Sequence, residues 1–163
     1  MKSDDMRQQL VQLGNGAHVM ATQMLGNTDD AADAVHDVFT KILRKPEAYD
    51  ANSGPLAPWF LRVLRNHCID LIRRRRPGDV DVDTLSHPGP GPESSVEIAQ
   101  RDQGLQLALA QLSTGQRQII VLRDYMDLSY AEIADVLEIA QGTVMSRLHR
   151  ARLALKEELS RHE

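Results

Sequence analysis

The sequence predicts an all-α protein made of two small helical domains that a flexible linker joins. Apolar residues recur every three or four positions in both halves of the chain, as they do in helices with one buried face. Seven of the twenty residues from 77 to 96 are Pro or Gly, which disfavour regular helix. These two observations place the domains at residues 1–76 and 97–163, with the linker at 77–96 between them.

The N-terminal domain is predicted to hold three helices. The first is expected to be interrupted or kinked near Gly14 and Gly16, because glycine weakens a helix interior. Gly26-Asn27-Thr28 combines a helix C-cap with an N-cap, so a second helix should follow directly. Pro46 ends that helix and opens a loop rich in Pro, Asn and Gly. The expected helices cover about residues 4–25, 29–44 and 58–75.

The third helix combines an apolar side with a row of arginines. Residues 62–76 hold six arginines against Asp70 alone. Arginine rows bind phosphates, and Asn66 beside them can hydrogen-bond to an exposed base edge. The loop before the helix could hold an unstacked base. The alternative is an arginine tail that only improves solubility.

The linker is acidic as well as rich in Pro and Gly. Residues 77–99 carry five acidic residues and no Lys or Arg. Fully extended, the linker could reach roughly 65 Å, or about two turns of DNA. It could therefore allow the two domains to contact separate elements of one DNA site.

Two helix starts in the C-terminal domain are marked by serine followed three residues later by Gln or Glu, the capping-box spacing. The pairs are Ser113 with Gln116 and Ser129 with Glu132. We expect a helix over about 94–111 before the first pair, and a helix from that pair through Arg123.

Residues 129–161 have the pattern of a helix-turn-helix. After the short helix that Ser129 opens, residues 138–141 supply a turn, and a last helix runs from Gly142 to about Arg161. The second helix of such a motif fits the major groove of DNA. Residues 142–156 carry four positive charges and no acid, which suits phosphate contact, although a solvated basic face would look the same.

Composition limits the classes of protein. A net charge of −4 argues against a protein that coats nucleic acid indiscriminately. Cys68 is the only cysteine, so no internal disulfide can form, and it reads as a buried small residue. The chain begins without a signal peptide and holds no transmembrane-length apolar run, so we expect a cytoplasmic protein with no membrane insertion.

Catalysis and metal binding receive little support. The six histidines are scattered, and His67-Cys68 is the only His/Cys pair. Adjacent helix residues point about 100° apart, which suits two ligands of one metal poorly. No phosphate-cradling Gly loop or nucleophile motif appears, so we expect no catalytic residues, metal or cofactor.

Three blocks of the chain resemble the extracytoplasmic-function (group IV) sigma factors of bacterial RNA polymerase, within the sigma-70 family. The blocks are DAADAVHDVFTKIL (30–43), WFLRVLRNHCIDLIRRRR (59–76) and the C-terminal stretch 112–159. Their order and the intervening linker also match. The resemblance implies a sigma-2-like bundle followed by a sigma-4-like helix-turn-helix domain, in a non-enzymatic subunit that gives core polymerase its promoter recognition.

The resemblance also implies roles for particular residues. The second helix would dock on the β′ clamp helices of core RNA polymerase, and the β subunit would be a further part of this partner. An anti-sigma factor would hold the protein inactive until a stress signal releases it. The docking positions are Asp33, His36 and Asp37. With the loop at 49–58, the −10 promoter element would be read and melted by Arg62, Arg65, Asn66, Arg73 and Arg74. The −35 element would be read by Thr143, Ser146, Arg147, His149 and Arg150.

The chain departs from the family pattern at a few positions. His36 replaces the usual Gln, and Ala140-Gln141 replaces a frequent Pro-Val. Met145 stands where Lys or Arg is common, so one DNA contact is expected to be missing. Leu56 and Pro58 differ from the usual residues of the −10 loop. A duplex-binding regulator with a LuxR-like helix-turn-helix is the alternative, but it leaves the arginine-rich third helix unexplained.

Overall fold

The computed structural model describes residues 3–75, 78, 81 and 103–161. These residues form helices and turns and no strand, which confirms the all-α prediction. The linker predicted at 77–96 and the first part of the helix expected over 94–111 fall almost wholly outside the described residues. The α-helices are α1 Ser3–Leu25, α2 Thr28–Arg44, α3 Leu56–Arg75, α4 Gln103–Ala110, α5 Thr114–Ile120, α6 Tyr130–Leu137 and α7 Gln141–Arg161.

Helices α1, α2 and α3 pack on one another to form the N-terminal bundle. The Asn27 side chain accepts a hydrogen bond from the Asp30 backbone N–H at 2.9 Å, so α2 begins at the predicted cap. Phe39 of α2 and Phe60 of α3 stack with ring centroids 5.3 Å apart. Two short 3₁₀ turns, Pro46–Ala48 and Ala51–Ser53, form the loop between these helices.

The interruption expected at Gly14 and Gly16 is wrong, because α1 is a continuous helix. Gly16 instead makes room for the C-terminal half of the chain. A Cβ atom placed on Gly16 would lie 2.5 Å from the Cε atom of Met126, closer than two carbon atoms can approach, whereas one on Gly14 would meet nothing within 4 Å. The absence of a side chain at Gly16 therefore allows close packing between distant parts of the chain.

Both predicted capping boxes are present in the C-terminal helices. Ser113 and Gln116 cap α5 reciprocally, and Ser129 and Glu132 do the same for α6. A single π-helical turn, Val121–Tyr125, extends α5. Glu138, at φ 58°, ends α6 in the left-handed conformation and starts the turn into α7.

The N-terminal bundle and the C-terminal helices pack together and share one hydrophobic core. Helix α6 lies against α3, and α5 lies against α1. The sequence left open whether the two parts touch. In this structure they do, and the contact bears directly on the residues expected to bind DNA.

Candidate nucleic-acid interface

Helix α7 is anchored by one face and presents the other to solvent. Its anchor residues are the buried Val144, Leu148 and Ala151. Of the five residues expected to read DNA, three are exposed and two are half-buried. Ser146, His149 and Arg150 are exposed, and Thr143 and Arg147 are half-buried. The structure thus brings all five together on the outer surface of the second helix of the helix-turn-helix.

Local hydrogen bonds order the cations of α7. Arg150 donates from Nε to the Ser146 carbonyl at 3.3 Å, while the Ser146 hydroxyl donates to the Thr143 carbonyl at 3.1 Å. Arg152 instead forms a two-point hydrogen bond with Asp124, which raises the pKa of its guanidinium. The positive charge of Arg152 is therefore paired with Asp124 of the same domain and does not point towards a ligand.

A groove of about 390 Å³ runs beside α7 towards the start of α5. Arg147 and Arg150 line it from α7, and the linker residue Asp81 lies in the same groove. The remaining lining residues are Ser113, Gly115, Gln116, Ile119 and Leu137. The groove therefore combines two cations of α7 with the carboxylate of Asp81 and the capped start of α5.

Two exposed side chains in the first two turns of α7 lie outside the predicted set. Gln141 is the first residue of the helix, and Met145, one turn further on, has 55% of its surface exposed. The sequence contains a signal for both residues. They lie one turn apart, and Met145 precedes the predicted Ser146, whereas the family pattern predicts only a missing DNA contact at Met145.

The loop before α3 forms a second groove, of about 300 Å³. The buried Tyr49 ring lies 5.1 Å from the ring of Trp59 and donates its hydroxyl to the Gly54 carbonyl. Asp50 fixes the loop by accepting from the Asn52 backbone N–H at 2.9 Å. The groove has Arg62 on one wall, and Asp135, which belongs to α6 in the C-terminal domain, is also part of its lining.

The residues expected to bind the −10 element are not all on one surface. Arg62 lines the loop groove, whereas Asn66 lines a groove with Asp37 and Lys41 of α2. Arg73 and Arg74 are exposed at the end of α3. Arg65 is buried and donates from Nε to Gln118 Oε1 of α5 at 3.1 Å.

The contact between the two halves of the chain contains a second buried arginine. Arg117 of α5 is fully buried and donates to the Gln23 carbonyl of α1 at 3.1 Å. It also donates to the Leu112 carbonyl and to the Thr114 hydroxyl within its own domain. Burial lowers the pKa of Arg117 to about 10, so the guanidinium stays charged at neutral pH. Sequence reasoning missed this residue.

The three residues expected to dock on polymerase are exposed on α2. Asp33, His36 and Asp37 occupy one side of the helix. The carboxylate of Asp37 lies 3.7 Å from His67 Nε2, which is beyond a normal hydrogen bond. His36 and Asp37 also line a groove with Lys41, so this surface carries charges of both signs.

Within the described ranges, no three His, Cys, Asp or Glu side chains are grouped as metal ligands. Cys68 is fully buried, as expected, and burial raises the pKa of its thiol to about 12. The thiol is therefore protonated and inert at neutral pH. None of the helices in the described part of the chain is long and apolar enough to cross a bilayer.

This geometry defines a helix-turn-helix protein with exposed arginines on both of its domains. The family models for Sigma-70 region 2 and Sigma-70 region 4 match residues 12–77 and 102–155 respectively. The chain is 30% identical over 149 residues to the ECF RNA polymerase sigma factor SigW of Bacillus subtilis, covering 84% of this chain and 79% of SigW. The chain belongs to the extracytoplasmic-function (ECF) sigma factors.

Further comparisons agree with this assignment. The chain is 33% identical to the ECF sigma factor SigE of Mycolicibacterium smegmatis over 88% of its own length, and it spans 57% of SigE. The sigma factor RpoE of Bartonella quintana, solved with the anti-sigma factor NepR, superposes with a TM-score of 0.73 at 28% identity, covering 96% of this chain and 97% of RpoE. CnrH, solved with the cytosolic domain of CnrY, shares the fold at 24% identity, with a TM-score of 0.72 over 99% of this chain and 92% of CnrH.

Proposed function

We propose that this sigma factor directs core RNA polymerase to promoters by reading the −35 element with α7 and the −10 element with the loop and α3. The observation that carries the proposal is the placement of exposed arginines on two domains, each matched by a different sigma-70 region. In this role the chain is a non-catalytic subunit that acts in the cytoplasm.

The α7 surface suits a duplex. Val144 and Leu148 hold the helix against its domain, while Ser146, His149 and Arg150 project from the first three turns. The amino-terminal part of a recognition helix contacts base edges in the major groove. Arg147 and Arg150, which share the α7 groove, are placed to bind the flanking phosphates.

The loop groove suits an unstacked base. Extracting a base from the duplex costs a few kcal/mol, which a pocket and phosphate contacts must offset. The groove between Tyr49 and Trp59 provides polar loop groups and a partly exposed indole ring. Arg62 on its wall, with Arg73 and Arg74 further along α3, can bind the backbone of the same strand.

The packed arrangement of the two domains restricts the access of DNA to the loop groove and α3. Arg65 is buried beneath Gln118, and the carboxylate of Asp135 lies at the loop groove where a phosphate would approach. We therefore infer that α5 and α6 must move off α3 before the full −10 surface becomes available. The linker is long enough to permit that movement.

An anti-sigma factor is the proposed regulator. The sigma factor RpoE of Bartonella quintana was solved in complex with an anti-sigma factor, and the likeness to it extends over 96% of this chain. A single superposition with a TM-score of 0.73 covers both domains, which supports a packed arrangement like that of a sigma factor solved with an anti-sigma factor. A partner that stabilised this arrangement would keep Arg65 away from DNA.

Docking on core polymerase is proposed for Asp33, His36 and Asp37, with the β′ clamp helices as the partner. Exchanging Asp37 for Arg should weaken binding to core polymerase at least tenfold, because it reverses a charge on an exposed surface. Glu157→Arg makes the same charge change on the exposed side of α7 and should leave core affinity unchanged. Equal core affinity for the Asp37 variant and the wild type would remove Asp37 from the docking face.

Run-off transcription tests the whole proposal. Sigma-free core polymerase would be supplied with this protein and a library of promoter fragments, and the transcripts sequenced. Transcripts that require the protein support the proposal and identify both promoter elements. Duplex binding without transcripts or core binding would instead favour the LuxR-like regulator.

A further inference from the structure

Met145 is an exposed apolar side chain on the surface proposed to read DNA. It is the fifth residue of α7, and 55% of its surface is accessible. Among the described residues only three other large apolar side chains are exposed, namely Val11, Leu107 and Leu153. Of these, Leu153 is also on α7, but it lies two turns beyond Met145.

The helical repeat separates this residue from the cations. Buried Val144 and Leu148 define the inner side of α7, and exposed Ser146 lies near the middle of the outer side. Met145 falls on one flank together with His149, one turn later. Arg147 and Arg150 fall on the opposite flank, in the groove beside α5. The reading surface therefore has a cationic flank and a flank that contains an apolar group.

The chemistry of the major groove offers one apolar partner. Amino, carbonyl and ring-nitrogen groups line the groove, and the only apolar group that a base presents there is the C5-methyl of thymine. A methionine side chain has three flexible bonds and a polarizable sulfur, so it adapts to a small methyl surface. It cannot donate to a phosphate or to a guanine, as a Lys or Arg side chain could.

We propose that Met145 contacts the methyl group of a thymine in the −35 element and makes that position of the promoter specific for thymine. The inference rests on the proposed function, since it requires α7 to lie in the major groove of the −35 duplex.

Deoxyuridine scanning of the −35 element tests this directly, because replacing thymine by deoxyuridine removes only the methyl group. The reconstituted holoenzyme would be bound to a promoter identified by run-off transcription, with each −35 thymine exchanged in turn. Loss of one buried methyl contact should weaken wild-type binding about threefold at a single thymine. At the other thymines the effect should be small.

The Met145→Ala variant supplies the decisive comparison. It should bind the thymine promoter about threefold more weakly than the wild type, and it should bind the thymine and deoxyuridine promoters equally well. Leu153→Ala removes an equally exposed apolar side chain from the same helix, and it should keep the wild-type sensitivity to the methyl group. Both side chains are on the surface, so thermal melting should show both variants folded.

The outcomes separate the two proposals. Promoter binding that is indifferent to every thymine methyl, or a Met145→Ala variant as methyl-sensitive as the wild type, overturns the role of Met145 and leaves the sigma function intact. A wild-type holoenzyme that neither binds nor transcribes any promoter overturns the proposed function itself. Loss of methyl sensitivity in Met145→Ala but not in Leu153→Ala supports the proposal.

Discussion

The two proposed DNA surfaces differ in how far the other domain covers them. The α7 surface belongs to one domain, and the side chains of Ser146, His149 and Arg150 are already exposed. The surface on the loop and α3 is shared between domains, because Arg65 is buried against Gln118 and Asp135 lies in the loop groove. The packed protein therefore exposes the proposed −35 surface and restricts the proposed −10 surface.

The largest effect is expected from Gly16→Leu, which should force the two halves apart. A Cβ at position 16 would overlap the flexible end of the Met126 side chain, which must then move, and the further carbons of leucine enlarge that overlap within a packed contact. We expect a larger radius of gyration by small-angle X-ray scattering. Affinity for a single-stranded −10 oligonucleotide should rise roughly tenfold, because a larger fraction of molecules is open.

Two variants control this experiment. Gly14→Leu places the same side chain on the same helix, at a position where a Cβ meets nothing within 4 Å. It should leave the radius of gyration and the affinity for the single-stranded −10 oligonucleotide unchanged. Adding Met126→Ala to Gly16→Leu should restore part of the packing. If Gly14→Leu and Gly16→Leu behave alike, the contact at Gly16 does not hold the domains together.

A smaller effect in the same direction is expected from Gln118→Ala. The substitution removes the acceptor of the Arg65 Nε–H hydrogen bond across the domain contact, at a cost of about 1 kcal/mol to the packed state. Affinity for the single-stranded −10 oligonucleotide should then increase about fivefold. Gln111→Ala removes an exposed glutamine from the same domain, and its affinity should equal that of the wild type. An unchanged affinity in Gln118→Ala would show that Arg65 is not held by this hydrogen bond.

Local signals predict the helices of the helix-turn-helix but not the contact between the two domains. Both capping boxes and the turn at Glu138 are fixed by residues close in sequence, so the helix-turn-helix could be anticipated with its exposed residues. The role of Gly16 depends on Met126, which lies far away in the sequence and on another domain. No local rule distinguishes that glycine from one that breaks a helix.

The burial of Arg65 was not predicted, although the sequence contains a signal for it. It lies on the side of α3 that carries the buried Leu61, Leu64 and Cys68, so its position on the helix predicts burial although its charge suggests exposure. Arg117 has a similar position between buried residues of α5. Their partners could not be predicted, because Gln118 and the Gln23 carbonyl approach them only after the domains pack.

On the α7 surface, Arg150→Ala should weaken duplex binding about threefold at moderate salt. If Arg150 binds a phosphate, the salt dependence of log affinity should also fall by about one unit. Lys156→Ala removes an exposed positive charge further along α7, and its salt dependence should match the wild type. Binding to the single-stranded −10 oligonucleotide should not change in either variant. Equal salt slopes for Arg150→Ala and the wild type would place Arg150 away from the phosphates.

The smallest effect is expected from Asp135→Asn, which removes a charge from the loop groove but keeps the shape of the side chain. Asp135 is exposed, so salt and water screen its repulsion of a phosphate, and affinity for the single-stranded −10 oligonucleotide should increase less than threefold. The increase should disappear at high salt, unlike that of Gly16→Leu, which acts through packing. Glu157→Gln makes the same charge change far from the groove and should have no effect. A salt-independent increase in Asp135→Asn would mean that this residue acts by holding the domains together and not by repelling DNA.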